Sequence, residues 1–402
     1  MAETGIEGRL LIDLNWHQGR VFQVAIGSTR PLQLPEIFFA KKPAEVLATL
    51  PLIYRVCGVA QGCAAAEALE QAGAIPVAAR NRQKRRLLVA FETLREHFWR
   101  IELDWARFLN RVPDRVGVVQ ISSLLKKFRA TLFPEGGPFT LGGLGGGGDK
   151  TQLVAQLEDL ERLMATRVFL QSPQSWLEIS DRLSLGGWSK ACETLSQEMF
   201  SQVKSRGEAG LGQTQVAALG KLDPVYLDER LGGVAANDFI AQPDWQGAPA
   251  ETTPFTRRCN HPMLISLRQR YGNGLLTRLV ARLVELAALA GELRKGVVGL
   301  DTTESAGHDS DVGSGIGISQ IEAARGRLVH RVELEAGRIS RYQILAPTEW
   351  NFHPKGVLAR GLAGLESTNE TDLKRRADLL INAIDPCVGY RLQINRCDDI
   401  RE

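Results

Sequence analysis

The residues best suited to chemistry are two cysteines that lie 330 positions apart, Cys57 near the start of the chain and Cys387 near its end. Cys57 stands in the segment R-V-C-G, and Cys387 in the segment D-P-C. A thiolate is a nucleophile and a soft metal ligand, whereas a buried thiol is usually inert. Residues 59–72 are rich in alanine and predict a helix directly after Cys57. Because the dipole of a helix N-terminus lowers a thiol pKa, the sequence predicts that Cys57 readily forms a thiolate.

Other potential ligands are few and widely spaced. No two histidines have the paired spacing of a zinc site, and His330 lies in a predicted strand, where we expect a hydrogen-bonded core side chain. Six cysteines in 402 residues are too sparse for a disulfide framework, so we expect reduced thiols. The first seven residues include acidic side chains and lack the apolar run of a secretory signal. These observations predict a cytoplasmic protein.

The elements that must position the two cysteines are predicted to be mainly helical. Apolar residues from Leu87 to Phe108 recur at alternating steps of four and three, the pattern of a long helix with one apolar seam. A further helix is predicted over residues 262–293, where charged side chains form a stripe along an apolar stretch. Such a stripe indicates a helix packed on a soluble core and no membrane insertion. The charged residues of this stripe are Arg278, Arg282, Glu285 and Glu292.

Strands are predicted at both ends of the chain. The β-prone runs 9–13 and 20–26 flank a turn that contains a glycine, and they predict a hairpin. A helix is predicted over residues 372–384, after a second group of β-prone runs. These runs span residues 317–321, 327–334 and 338–345.

Composition and charge exclude several classes of protein. Hydrophobic residues make up 44% and charged residues 24%, as in soluble globular proteins. The net charge of +3 is too small for a broad phosphate-binding surface, so no nucleic acid partner is expected. The basic run at residues 80–86 has two interpretations, a solvated face or a docking site for an acidic partner. Residues 141–148 are too rich in glycine for a regular element, and they lack the ending of a phosphate-binding loop.

Five segments resemble the large subunits of [NiFe] hydrogenases. The two cysteine segments match the beginnings of the family motifs R-x-C-G-x-C and D-P-C-x-x-C-x-x-H. Residues 322–330 (E-A-A-R-G-R-L-V-H) resemble the family's E-A-P-R-G-x-L-x-H, and residues 339–351 resemble the strand that leads into its P-T-x-W-N. Residues 7–10 (E-G-R-L) resemble its opening E-G-H-L. Because the segments follow the family's order, the chain is identified as a member, with a vague match over residues 109–258.

The resemblance implies an α+β fold like that of a hydrogenase large subunit. We expect a mainly helical bundle core, with small antiparallel β-sheets near the N-terminus and in the C-terminal third. One domain is expected over residues 1–402. Its regions are an N-terminal β-hairpin region (1–42), a helical region with the first cysteine motif (43–140), a glycine-rich loop (141–150), a helical region (151–295) with an irregular connection (207–258), and a β-rich region with the second cysteine motif (296–402).

The departures from the family pattern fall on the metal ligands. In working hydrogenases the first cysteine of each motif binds nickel, and the second bridges nickel and iron. Ala60 and Tyr390 stand at the two bridging positions. Gln393 replaces the closing histidine of the second motif, and Gln33 replaces the proton-shuttling glutamate, although an amide cannot exchange protons at neutral pH. We therefore expect no hydrogen turnover, no enzyme activity and no nickel.

This pattern resembles the HupK/HoxV-type hydrogenase maturation proteins, which assist assembly of the large subunit. The family's iron arrives as an Fe(CN)2CO unit, so a protein need supply only the remaining ligands. The resemblance implies that Cys57 and Cys387 hold this unit transiently, in a carrier or scaffold. The alternative is a metal-free interaction protein that holds maturation partners. The implied partners are a HypC-type small chaperone, the hydrogenase large-subunit precursor and other maturation proteins.

Three more residues receive roles from the resemblance, each with an alternative. Arg325 matches the family's arginine beside the diatomic ligands and would donate hydrogen bonds to cyanide, or else form an ordinary salt bridge. Arg55 would stabilise the thiolates as a nearby cation, or be purely structural. Cys63 lies three residues beyond Ala60 and would replace a lost bridging thiolate, or be a small core residue. The remaining cysteines, expected to be structural or exposed thiols, are Cys192, Cys259 and Cys397.

Overall fold

The computed structural model describes residues 8–143, 148–300 and 314–396, which form an α+β fold dominated by helices. The strands are β1 (Arg9–His17), β2 (Arg20–Ser28), β3 (Ala217–Ala218), β4 (Ala250–Glu251), β5 (Gly315–Ala323), β6 (Gly326–Glu335), β7 (Arg338–Leu345) and β8 (Gly389–Arg396). The helices are α1 (Pro43–Ile53), α2 (Gly58–Ala72), α3 (Ala79–Trp99), α4 (Ala106–Phe108), α5 (Arg115–Leu132), α6 (Lys150–Met164), α7 (Pro173–Leu177), α8 (Arg182–Ser189), α9 (Leu195–Ser205), α10 (Pro224–Gly232), α11 (Ala236–Ala241), α12 (Pro254–Arg258), α13 (Pro262–Tyr271), α14 (Leu275–Val298), α15 (Pro347–Asn351), α16 (Val357–Leu362) and α17 (Glu370–Ile384).

The predicted N-terminal hairpin is confirmed. Antiparallel β1 and β2 are joined at Gln18 and Gly19, whose φ values of 45° and 83° suit the tight turns that match strand twist. Strand β8 then adds parallel to β1, in the order β2-β1-β8. This pairing joins both ends of the described chain in one mixed sheet. The pairing of β8 with β1 was not predicted, because the sequence of one strand does not show which other strand it pairs with.

The predicted strands of the C-terminal third form the antiparallel sheet β5-β6-β7, which lies against α2. The approach is close, because a β-carbon at Gly317 would lie 1.9 Å from the backbone oxygen of Ala68. Small residues on both sides therefore allow the helix that follows Cys57 to rest on this sheet. The main hydrophobic core surrounds α2, α3 and α14, and a second core lies between the N-terminal sheet and α16 and α17.

Two helical predictions need correction. The long helix of the apolar seam is present, but residues Arg100–Trp105 are π-helical between α3 and α4. The single helix expected over residues 262–293 is two helices, α13 and α14, because Gly272 has a φ of 55° and ends the first. The connection at residues 207–258 is also more ordered than expected, since it contains α10, α11 and α12.

Charged residues that were expected on solvated faces are largely buried. The stripe on α14 points into the protein at three of its four positions, with Glu292 as the exception. In the basic run 80–86, Arg85 is buried and binds both carboxylate oxygens of Glu70 at 2.6 and 2.7 Å. The interpretation as a solvated face therefore applies only to Arg82 and Arg86, which are the exposed basic residues of that run. The partners of the α14 stripe are Glu251 for Arg278, the Asn382 carbonyl for Arg282 and Arg257 for Glu285.

Within the described ranges, no single helix has the length and apolar character of a membrane span. One bent pair, Pro43–Ile53 with Arg55–Ala72, passes that criterion when its two helices are taken together.

Candidate functional site

The two cysteine motifs meet at one small cavity. Cys57 is the N-cap residue of α2, and Cys387 lies between α17 and β8. Arg325 reaches the cavity from the turn between β5 and β6, and Arg30 from the end of β2. The cavity has a volume of about 40 Å³, room for about three water-sized groups. The apolar part of its wall contains Val56, Ala323, Ala324, Leu328, Ala346, Pro347 and Val388.

Cys387 is held in place by a buried network around the two residues before it. Asp385 ends α17 in the left-handed region, with φ 72°. Its Oδ1 lies 2.7 Å from Nε of Arg100 and 3.3 Å from Nε of Arg325, and its Oδ2 lies 3.5 Å from Arg282. Burial alone would raise the pKa of Asp385, but these three arginines outweigh it and hold the pKa well below its usual range. The Pro386 carbonyl also accepts hydrogen bonds from Arg100 and Arg325.

The thiol of Cys57 is protonated at neutral pH, which corrects the expectation of a ready thiolate. Burial, followed by the neighbouring Cys387, raises the pKa of Cys57 to about 12. The amides at the N-terminus of α2 do not serve the sulfur, because Glu92 accepts hydrogen bonds from the backbone N–H groups of Val59 and Ala60, both at 2.9 Å. The helix-dipole argument failed because burial of the thiol outweighs the dipole and because a carboxyl group from α3 caps this helix.

Glu92 and the hydrogen-bond partners of the thiols complete this side of the site. Burial raises the pKa of Glu92 to about 7. The side-chain amide of Gln61 lies 3.8 Å from the sulfur of Cys57, and the Thr348 hydroxyl lies 2.9 Å from the sulfur of Cys387. Neither residue was identified from the sequence, although Thr348 stands in the P-T-x-W-N segment and Gln61 follows the first cysteine motif.

Arg325 lines the same cavity as both thiols. Its side chain is only 4% exposed, and it pairs with Glu96 at 3.1 Å and with Asp385. Burial opposes the charge, but Asp385 and Glu96 raise the pKa of Arg325 well above its usual value. Its Nη1 is buried without a hydrogen-bond partner among the described residues. Arg325 therefore forms salt bridges, the alternative considered for it, and keeps one N–H donor without a partner among the described residues.

Arg30 is another site residue that sequence reasoning missed. It lines the cavity and pairs with the buried Glu349. Burial opposes its charge, but Glu349 and then Cys387 raise the pKa of Arg30 above its ordinary value. Next to it, burial raises the pKa of Tyr54 to about 12. Glu349 stands in the segment that resembles P-T-x-W-N, and Arg30 lies three residues before Gln33, but only the fold brings the two together.

The other two candidate residues do not reach this cavity. Arg55 is exposed, and its Nε donates to the Leu52 carbonyl at 3.4 Å. Cys63 is buried on another part of α2 and lines a separate cavity with Glu67 and Arg85. Burial raises the pKa of Cys63 far above its usual value. The structure thus brings together Cys57, Cys387 and Arg325 and leaves Arg55 and Cys63 outside.

The remaining candidates also lie apart from the cavity. His330 is a buried core residue, as predicted, because its ring nitrogens contact Tyr342 at 2.8 Å and Gln61 at 2.9 Å. Burial lowers the pKa of His330 to about 3. Cys192 is exposed and Cys259 half-buried, while Cys397 lies outside the described residues. Over residues 8–143, 148–300 and 314–396, no group of three or more His, Cys, Asp and Glu side chains is arranged to hold a metal ion.

The donor set of the cavity suits a small group that is both a thiolate acceptor and a hydrogen-bond acceptor. Two thiols offer soft ligands, and the unpartnered Nη1 of Arg325 offers a charged donor. The walls between these groups are mainly apolar. A compact iron unit with cyanide ligands matches this combination, because its metal prefers sulfur and its cyanide nitrogens accept hydrogen bonds.

Comparison with known proteins finds relatives over most of the chain. The family profile described as nickel-dependent hydrogenase matches residues 238–389. The hydrogenase expression/formation protein HoxV of Cupriavidus necator is 30% identical over 395 residues, which cover 92% of each chain. The chain belongs to the HoxV and HupK family of hydrogenase expression/formation proteins. A HupK protein of Azotobacter vinelandii is 26% identical, with 96% of this chain and 98% of that protein covered.

Solved structures confirm the fold of this HoxV and HupK family member. The Ni-Fe-Se hydrogenase of D. vulgaris Hildenborough superposes with a TM-score of 0.68, covering 92% of this chain and 94% of that chain at 16% identity. The corresponding enzyme of Desulfomicrobium baculatum gives a TM-score of 0.65. The expected hydrogenase large-subunit-like fold is therefore confirmed, and the likeness at this level of identity concerns the fold alone.

Proposed function

We propose that the protein acts in the formation of [NiFe] hydrogenase as a non-catalytic scaffold or transient carrier of the Fe(CN)2CO unit. The observation that carries this proposal is the cavity shared by Cys57, Cys387 and the unpartnered Nη1 of Arg325. Two thiols occupy only two coordination positions, so an iron held here must bring its other ligands with it. The names of the relatives, hydrogenase expression/formation proteins, support a role in maturation.

The raised pKa of Cys57 explains why such a unit would stay only for a time. With its pKa near 12, Cys57 must release a proton before it can bind iron as a thiolate. Metal binding that displaces a tightly held proton is weaker at a given pH than binding to a preformed thiolate. The same burial that opposes loading thus favours release to an acceptor. We propose a HypC-type small chaperone as the donor and the hydrogenase large-subunit precursor as the acceptor.

A second candidate function follows from the same pKa. A Cys57 thiol that stays protonated at neutral pH is also compatible with a metal-free interaction protein that holds maturation chaperones or the precursor. In that function the cavity is a remnant of the fold, and the large-subunit shape is what partners recognise. The two functions differ in whether iron occupies the cavity in the cell.

Infrared spectroscopy separates these functions. Protein isolated without oxygen from cells that express its maturation pathway should show cyanide and carbonyl stretching bands, with iron present and nickel absent. Cys57→Ala and Cys387→Ala should each abolish the bands. Cys192→Ala is the matched control, because that thiol is exposed and remote from the cavity, and it should leave the bands unchanged. Absence of bands from the anaerobic wild-type protein would favour the metal-free function.

Further variants assign the roles of the neighbouring residues. Arg325→Met should shift the cyanide bands, because it removes the donor that faces the cavity. Arg55→Ala and Cys63→Ala should leave the spectrum unchanged, since neither side chain lines the cavity. Loss of the bands in Cys63→Ala would restore that cysteine as a ligand.

A further inference from the structure

Cys387 can be approached from two sides. On one side lies the small cavity, and on the other lies an open groove of about 520 Å³. Val56, Cys387 and Val388 line both spaces, so they form the partition between them. The lining of the groove mixes charged, polar and apolar side chains, whereas the lining of the cavity is mainly apolar. Its remaining lining includes Arg100, Asp104, Arg107, Asp378, Asn382 and Tyr390.

The partition is braced by an arginine on each face. Arg100 lines the groove and Arg325 lines the cavity. Both contact Oδ1 of Asp385, at 2.7 and 3.3 Å, and both donate to the Pro386 carbonyl, at 3.0 and 3.3 Å. The residues directly before Cys387 are therefore fixed from both directions. Such bracing keeps Cys387, which lines both spaces, at the boundary between them.

The chain leaves the groove open beside this partition. The Tyr390 side chain is held at the groove by a hydrogen bond of 2.8 Å from its hydroxyl to Oδ1 of Asp378. At Gly389 an added β-carbon would meet no atom within 4 Å. The groove thus has space for a polypeptide segment, whereas the cavity takes only a compact group of a few atoms.

We propose that this groove is an exchange port, through which a cysteine-bearing segment of another protein delivers the iron unit to Cys387 or removes it. This inference rests on the proposed carrier function and adds the route of transfer. In the delivery step the iron–sulfur bond to Cys387 forms as the bond to the donor's thiolate breaks. The proton of the Cys387 thiol passes to the released thiolate, and no electron is transferred. Removal is the reverse reaction.

The port is tested first without iron, by measuring how fast the Cys387 thiol reacts with a polyethylene glycol maleimide. Gly389→Trp places a large side chain in the groove, and it should slow this reaction by about tenfold, the effect of a modest rise in the barrier. Gly187→Trp is the matched control, because its β-carbon also meets open space but on α8. Tyr390→Ala widens the groove and should speed the reaction. Peptide mass spectrometry reports the labelling of Cys387 separately from the other cysteines.

Equal rates for the two tryptophan variants would overturn the port, and so would a Tyr390→Ala rate no higher than that of the wild type. A second measurement connects the port to iron. In protein isolated with its pathway, Gly389→Trp should show weaker cyanide and carbonyl bands than Gly187→Trp. Bands of equal strength would contradict the route of transfer while leaving the carrier function intact. Absence of bands from the wild type would contradict the carrier function, and the labelling rates would still decide whether the groove controls access.

Discussion

Asp385→Asn should destabilise the protein through charge alone. Asparagine has nearly the same size as aspartate and tolerates the left-handed backbone that Asp385 adopts, so the geometry of α17 and Cys387 is retained. What disappears is the carboxylate that three buried or half-buried arginines share. Removing one partner of a buried ion pair costs about 3–5 kcal/mol, because the remaining charge stays buried without compensation. We expect a loss of this size in the free energy of unfolding at pH 7.

The sign of the pH dependence gives a second check. The folded-state pKa of Asp385 lies below its unfolded value, so its stabilisation is present above about pH 4 and is lost as the pH falls further. The difference between wild type and variant should therefore shrink in acid. Urea unfolding followed by tryptophan fluorescence and circular dichroism measures both quantities, with an unchanged m-value expected.

The control for this prediction is Asp159→Asn, which removes one partner of an exposed pair with Arg162 and should cost less than about 1 kcal/mol. A similarly small cost for Asp385→Asn would refute the account of the buried network. A large cost that persists unchanged in acid would show that side-chain geometry, not charge, is responsible.

Three further predictions concern the thiol, the buried histidine and the contact between α2 and β5. With a pKa near 12, Cys57 of the metal-free protein should react with iodoacetamide at pH 8 about a thousandfold more slowly than a model-peptide thiol. The exposed thiol of Cys192 should be labelled quickly and serves as the control. Equal labelling of the two cysteines would contradict the burial argument. Burial lowers the pKa of His330 to about 3 in the folded protein, below the unfolded value of about 6.5, so its contribution to stability is fully present above pH 6.5. The free energy of unfolding should therefore fall by about 5 kcal/mol as the pH is lowered from about 6.5 to about 3. His330→Gln should flatten that part of the stability profile, and an unchanged profile would assign the acid sensitivity to other groups. Gly317→Ala should lower the melting temperature sharply because its β-carbon would clash with the facing backbone, whereas Gly187→Ala, on an exposed helix position with open space, should not.

Much of the secondary structure followed from local pattern. The hairpin of β1 and β2, the three strands of the C-terminal sheet and the helix α17 lie where the β-prone runs and helical spacing predicted them. These elements depend on turn residues and on periodicity, which are properties of neighbouring residues. The break between α13 and α14 escaped prediction because the apolar pattern continues on both sides of Gly272.

The sequence by itself determined the family and the two cysteines, because short motifs in a fixed order carry that information. It also singled out Arg325, which lines the same cavity as the two cysteines. The tertiary structure alone decided the state of these groups. Glu92 caps the helix that was expected to activate Cys57, and Arg30, which lines the cavity, pairs with the buried Glu349. Desolvation and charge pairing depend on residues that are distant in sequence, and a local pattern contains neither.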